Sequence, residues 1–326
     1  MTNIAPTKDV IKRITNKILQ KITETTEAIT SITDEKPKAT IFAIDPTPPS
    51  LIYMNKKILQ SAKCGIVSEI KTFSSKIPEE EIKQAILKCG QVKNINGIML
   101  QLPIPEIFNK LDIIDLIPAN KDIDGLTAIQ QGGVALGNMH KYSQLPPTVQ
   151  GVVYLVKYIS GNIVSKNILM IGSSNIVGIP TALTMLHQGA TVTIANSNTV
   201  DLPKHCKNAD IIISATGQNS LVKEDMIKQD TVIIDVGISR ITSKVKKDGE
   251  PEYRIVGDVD KSCKTKSQYI TPVPGGVGLF TIAFLLKNIL IGYIVQNNIM
   301  DKKVTQLMED PIFDPLLARK DMNEYI

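Results

Sequence analysis

Several short stretches of this sequence bring together residue types that can do chemistry on a small molecule. Tyr53 and Lys57 stand four apart in an amphipathic stretch that starts near Ser50, so on a helix they share one face. A lysine held beside an aromatic ring and away from water can serve as an acid, a base or an electrostatic guide, and the ring can stack on a flat substrate. Gln101 follows the apolar run Gly97 to Leu100 and precedes Pro103 and Pro105, which puts an amide where a buried strand leaves its sheet. Asp122 and Asp124, in NKDIDGL, flank a turn at Gly125; the same residues suit an Asx turn or half of a calcium loop. The run ITPVPGGVG at 270–278, with Pro274, Gly275 and Gly276, sets rigid beside permissive backbone just before a helix, which suits a shaped binding loop.

A second group of residues points to a dinucleotide. NILMIGSSNIVGIP joins a strand to a helix through Gly172, Ser173, Ser174, Ile176, Val177 and Gly178, so backbone N–H groups and a helix N-terminus can face a pyrophosphate. The spacing differs from G-x-G-x-x-G, and a plain strand-to-helix turn is the alternative. Two further apolar strands end in glycine turns, at Ala215-Thr216-Gly217 and at Asp235-Val236-Gly237 with Ile238 after it. The strand TVTIA ends at Asn196, Ser197, Asn198 and Thr199, where NAD sites often carry an acid and NADP sites a base. These neutral residues leave the choice of ribose open.

The elements that must position these groups follow a βαβ rhythm. A first amphipathic helix carries Val10, Ile11, Ile14, Ile18 and Ile22 after Thr7, and then ATIFAI at 39–44, GIVSEI at 65–70 and GIMLQL at 97–102 alternate with helical stretches. Residues 120–150 break into Gly, Asn, Gln and Pro, which reads as long loops with one or two strands. Beyond Thr148 the rhythm restarts as a doubly wound block. The expected architecture is α/β in two domains with a cleft between them: an N-terminal α/β catalytic domain over 1–147, completed by a C-terminal helix at 279–300, and a Rossmann-like dinucleotide-binding domain over 148–278. A polar tail follows at 301–326 and is read as loosely held.

Composition narrows the rest. The 326 residues suit two domains, and 43% hydrophobic with 21% charged residues can build ordinary cores. The net charge of +5 is scattered and only 4% of residues are aromatic, which argues against nucleic acid. Cys64, Cys89, Cys206 and Cys263 form no metal or dithiol pairs, so no metal is expected and the setting is read as reducing and cytoplasmic. The start MTNIAPTKDVIKRI has no apolar h-region, so no targeting segment is expected. Val277 to Val295 is apolar enough to consider as a membrane span, but Lys287 and Asn288 in its middle favour a buried helix.

In order along the chain, S-x-x-Y-x-x-x-K at 50–57, GIMLQLPIP at 97–105, KDIDG at 121–125, GSSNIVGIP at 172–180, ATGQ at 215–218, GDVD at 257–260 and TPVPGGVG at 271–278 resemble the bifunctional methylenetetrahydrofolate dehydrogenase/cyclohydrolase family, from about Thr7 to about Asn298. The resemblance implies that Tyr53 stacks on the folate benzoyl ring, Lys57 is the main catalytic group, Gln101 orients it and Asp124 binds the pterin. It also implies that Pro274, Gly275 and Gly276 meet the substrate, that NADP is favoured over NAD, and that the protein is a homodimer. Pro147, Val149, Leu279 and Phe280 depart from the family's usual residues and are expected near the folate pocket, and 196–198 lack the basic residue that many members use for the NADP phosphate. Two rivals remain: a two-domain dehydrogenase of another small metabolite, and a non-catalytic folate or dinucleotide binder.

Overall fold

The computed structural model describes residues 6–138, 144–245, 251–310 and 312–314. It divides into two compact units, one made of Asn16–Pro147 with Ile282–Asp314, the other of Thr148–Thr281 with the segment that ends at Thr15.

In the first unit α1 (Lys8–Thr33, from Asn16 onward), β1 (Lys38–Ile44), α2 (Pro48–Lys63), β2 (Val67–Phe73), α3 (Glu79–Gln91) and β3 (Gly97–Leu100) build a parallel sheet of order β2-β1-β3. From Ala39 onward β1 is buried along its whole length, as expected of a central strand whose continuous apolar run is covered on both faces. Registers Ala39↔Gly97 and Phe42↔Leu100 end β1 and β3 near one another, so the residues that follow leave at the same edge of the sheet. The segment 120–138 departs from the expectation of strands. It holds a 3-10 turn at Ala119–Lys121, an isolated parallel bridge Ile98↔Asp122, and the helix α5 (Ala128–Ala135); a short helix α4 (Lys110–Ile114) precedes them. Thr127 caps α5 by accepting from Gln130 N, a start signal hidden among the polar residues.

The second unit contains α6 (Pro147–Ser160), β4 (Asn167–Ile171), α7 (Gly178–His187), β5 (Thr191–Ala195), α8 (Leu202–Asn208), β6 (Ile211–Ser214), β7 (Val232–Asp235) and β10 (Tyr269–Ile270). Its five strands are all parallel in the order β10-β7-β6-β4-β5. Counted from β4, that is the doubly wound order 2-1-3-4-5, in which ligands lie off the carboxyl ends of the strands where the winding reverses. An antiparallel hairpin, β8 (Ser239–Val245) with β9 (Pro251–Val256), interrupts it and was not expected from the sequence.

The helix α9 (Val277–Gln296) is long and apolar enough by composition to cross a membrane, and 61% of its most apolar window is buried within the protein. Lys287 and Asn288 are both buried. Among the described residues, 301–310 and 312–314, the tail is firmer than its polar composition implies; the rest of 301–326 lies outside the described residues. Asp301 caps α10 (Lys302–Met308), Lys21 and Asp310 pair at 3.2 Å, and Val304, Ile312 and Phe313 are buried. With Phe313 at 0% exposure, Phe313→Ala is expected to cost about 3–5 kcal/mol in chemical denaturation; an unchanged unfolding midpoint would show that this segment contributes nothing.

Candidate active site

Helix α2 is positioned by its ends. Thr47 accepts from Ser50 N at its start, where Pro48 and Pro49 occupy turn positions that need no intrahelical donor, and Gly65 closes it with φ +76°. Met54, Lys57 and Ser61 recur at helical spacing on its buried face. A lysine on the inward stripe is unusual, and its partners explain it. Lys57 Nζ donates to Gln101 Oε1 at 3.0 Å, touches Met99 Sδ at 3.5 Å and sits 4.9 Å from the centre of the Tyr53 ring. Gln101 is oriented by its own bonds: its backbone N donates to Phe42 O at 2.7 Å, and Nε2 donates to Leu102 O at 2.7 Å, which turns Oε1 toward the lysine.

The Asp122–Gly125 segment brings the fourth group. Ile123 N donates to Ile98 O, so the segment runs beside β3 toward the edge from which Gln101 leaves. Asp122 is consumed by the turn: Oδ1 accepts from Asp124 N and Gly125 N, and Oδ2 from Thr127 N. Burial raises its carboxyl to about 6. Gly125 has φ +66°, and any Cβ there would collide with the Gln144 carbonyl. Asp124 is left within electrostatic reach of Lys57. Burial pushes the Lys57 ammonium below the ordinary lysine range and raises the Asp124 carboxyl, and each charge offsets part of the other's shift. The turn reading of this motif therefore holds for Asp122, while Asp124 joins Tyr53, Lys57 and Gln101.

The expected dinucleotide residues all fall in the second unit. Gly172 has φ +108°, and a Cβ there would press on Ala215 O at the end of β6; a Cβ on Gly178 would overlap the Gly172 carbonyl. Ser174 Oγ accepts from Val177 N and Gly178 N, forming the start of α7, with Ser173 and Ile176 in the same turn. Ser197 is exposed in a turn closed by Asn196 and Thr199 at the end of β5. Thr216 and Gly217 follow β6, and Gly237 and Ile238 follow β7, with Ile238 exposed. Ser239 Oγ donates to Gly217 O at 2.6 Å and links these two turns. Pro274, Gly275 and Gly276 lie between β10 and α9, where a Cβ on Gly275 would meet the Lys8 side chain. Val149 and Phe280 are fully buried, and Phe280 packs on Tyr154 at 5.2 Å, so both residues fill the core of this unit.

Two contributors were not picked out from the sequence. Asn288 Nδ2 donates to Ile123 O and Leu145 O, bracing the Asp122–Gly125 turn from α9. A polar amide inside an otherwise apolar helix is the signal the sequence offers for it. Met99 was hidden as one more apolar strand residue.

Together the doubly wound parallel sheet with its glycine-lined turns and the lysine-centred polar cluster define a two-domain α/β enzyme of the dinucleotide-using class. Family models agree: the tetrahydrofolate dehydrogenase/cyclohydrolase catalytic domain matches residues 3–124, and the NAD(P)-binding domain of the same family matches residues 146–297. A "Bifunctional protein FolD" of Mesoplasma florum is 41% identical over 261 residues, 79% of this chain and 87% of that protein. The crystal structure of the bifunctional methylenetetrahydrofolate dehydrogenase/cyclohydrolase from Campylobacter jejuni superposes with a TM-score of 0.80 at 34% identity, covering 89% of this chain and 98% of that one. The Trypanosoma brucei enzyme, complexed with NADP cofactor and inhibitor, gives 0.81 at 27% identity, covering 88% and 96%. The chain belongs to the tetrahydrofolate dehydrogenase/cyclohydrolase family.

Asp124→Asn would remove the negative charge that supports the Lys57 ammonium, so the Lys57 pKa should fall further. The pH dependence of the Lys57 Nζ signal in nitrogen-15 NMR measures this directly; a rise, or no change, would contradict the coupling.

Proposed function

We propose that this chain oxidises methylenetetrahydrofolate to methenyltetrahydrofolate with NADP, and then hydrolyses that product to formyltetrahydrofolate. The observation that carries the proposal is the buried Lys57 ammonium, 3.0 Å from Gln101 Oε1 and facing the Tyr53 ring. A passive binder needs no lysine desolvated and oriented at such cost, and the family match favours a folate over an unrelated metabolite.

The chain's own backbone fits a dinucleotide, because the Gly172 and Gly178 positions leave no room for a Cβ and bring main chain close at the start of α7. Gly172, Ser173, Ser174, Ile176, Val177, Ser197, Thr216, Gly217, Gly237 and Ile238 would hold it. When bound, the dinucleotide accepts the hydride that leaves the folate methylene carbon. NADP use is supported by the Trypanosoma brucei relative; the neutral Asn196–Thr199 turn leaves NAD a usable alternative.

Tyr53 stacks on the flat part of the folate, Asp124 hydrogen-bonds the pterin, Pro274, Gly275 and Gly276 complete the substrate contacts, and Gln101 holds the lysine in place. In the hydrolytic step a water oxygen bonds to the methenyl carbon while neutral Lys57 takes one of its protons. The ring C–N bond then breaks with its electron pair going to nitrogen, which receives that proton back from Lys57. The remaining hydroxyl proton leaves to solvent as the formyl carbonyl forms. Burial lowers the Lys57 pKa and so shifts the lysine toward the neutral form that this exchange starts from, with Asp124 opposing part of that shift.

By this reading residues 1–147 with the helix through 279–300 carry the folate chemistry and 148–278 the dinucleotide, although the segment that ends at Thr15 and residues 279–281 cluster with the second unit. We take the protein to be a cytoplasmic homodimer that binds neither nucleic acid nor membrane; four buried free cysteines support a reducing setting, and the exposed edge strand β5 offers a surface for a second copy. Lys57→Met should lower methenyltetrahydrofolate hydrolysis by at least about a hundredfold and leave dinucleotide binding intact in titration calorimetry. Undiminished hydrolysis would sink the role of Lys57, and wild-type protein that turned over methylenetetrahydrofolate with neither NADP nor NAD would sink the proposed function.

A further inference from the structure

Two buried carboxylates at the carboxyl edge of the second sheet take no part in the chemistry above. Asp235 ends β7 and Asp258 lies in the segment after β9; both are buried, Asp258 completely. Asp258 Oδ2 accepts three hydrogen bonds, from Ser214 Oγ at 2.9 Å, Thr216 N at 2.7 Å and Thr216 Oγ1 at 2.9 Å. With its proton turned toward Asp258, the Thr216 hydroxyl oxygen is free to accept from Gln218 N, and it does so at 3.1 Å. The whole turn from Ser214 to Gln218 is therefore organised by one carboxylate oxygen.

Asp235 does the reciprocal work. Its Oδ1 accepts from Gly237 N and Asp258 N, and its Oδ2 from Val259 N. The glycines in this arrangement are spaces for these carboxylates. A Cβ on Gly237 would coincide with the Asp258 carboxylate, and a Cβ on Gly257 with that of Asp235. Asp258 Oδ1 is buried with no hydrogen-bond partner. All three donors converge on the other oxygen, Oδ2.

We propose that Asp258 is a positioning residue for the dinucleotide: through Thr216 and Ser214 it fixes the turn after β6, and over Gly237 it fixes the turn after β7. The dehydrogenase step then depends on Asp258 while the hydrolytic step, which needs no dinucleotide, does not. This inference rests on the reading of Thr216, Gly217, Gly237 and Ile238 as cofactor contacts. A role confined to folding would affect both activities together; a positioning role separates them.

The test compares Asp258→Ala, Asp258→Asn and Ser214→Ala full-length enzymes, each assayed for both activities in the same preparation. Asp258→Ala should raise the KM for NADP at least tenfold and leave the kcat for methenyltetrahydrofolate hydrolysis within twofold of wild type. Asp258→Asn keeps one acceptor for the three donors and should restore the KM to within about threefold. Ser214→Ala removes a single donor, is the variant least apt to disturb folding, and should raise the same KM two- to fivefold. An unchanged KM in Asp258→Ala, an equal loss of both activities in a folded Ser214→Ala enzyme, or an Asn variant as impaired as Ala would each overturn the proposal. Wild-type enzyme lacking both activities would instead refute the function from which the inference starts.

Discussion

Desolvating one ammonium group is the constraint around which the first unit is arranged. Lys57 lies on the inward stripe of α2, where an apolar residue would pack at no electrostatic cost, and a buried ammonium is tolerated only when surrounding groups replace its water. The replacements come from three parts of the chain. The Tyr53 ring is supplied one turn earlier on the same helix, Met99 by β3, Gln101 by the residue that leaves β3, and Asp124 by the segment that bridges to Ile98. The parallel pairing of β1 with β3 and the cap at Thr47 set where those four contributions converge.

The supporting layer has its own logic. Asp122 takes three backbone N–H groups so that Asp124 need take none of them, and Asn288 pins the same segment through two carbonyls. Two adjacent acids of one motif thus divide into a structural and a displayed member. In the second unit Asp235 and Asp258 repeat the device, with carboxylates serving as staples for glycine turns. In both places the buried carboxyl groups collect several donors each, backbone N–H groups at Asp122 and Asp235, one backbone N–H and two hydroxyls at Asp258, which replace much of the lost water.

The two units also use glycine for a common physical reason. At Gly125 the space is claimed by the Gln144 carbonyl, at Gly172 by Ala215, and at Gly237 by the Asp258 carboxylate. These are close approaches of one backbone to another polar group, and the positive φ of Gly125 and Gly172 adds a second reason that other residues fit badly. The loops are therefore shaped from within before any ligand contributes.

Much of this was legible in the sequence because periodicity and punctuation are local. The βαβ rhythm, the shared face of Tyr53 and Lys57, the strand exit at Gln101 and the glycine-ended strands all follow from spacings of a few residues, and the ordered motifs supplied the family. Long-range contacts were not legible. Nothing local distinguishes Asp122 from Asp124, since only the bridge to Ile98 and the cap of α5 decide which one is consumed. Phe280 and Val149 read as pocket residues until packing placed them in a core, and the tail read as loose because a few apolar residues, Val304, Ile312 and Phe313, do the anchoring. By itself the sequence determined the class of fold, the family and the lysine at the centre of the chemistry. The tertiary structure alone decided which polar groups surround that lysine and which acids hold the turns, because those partners are brought together by sheet register and packing across tens of residues, which no local pattern encodes.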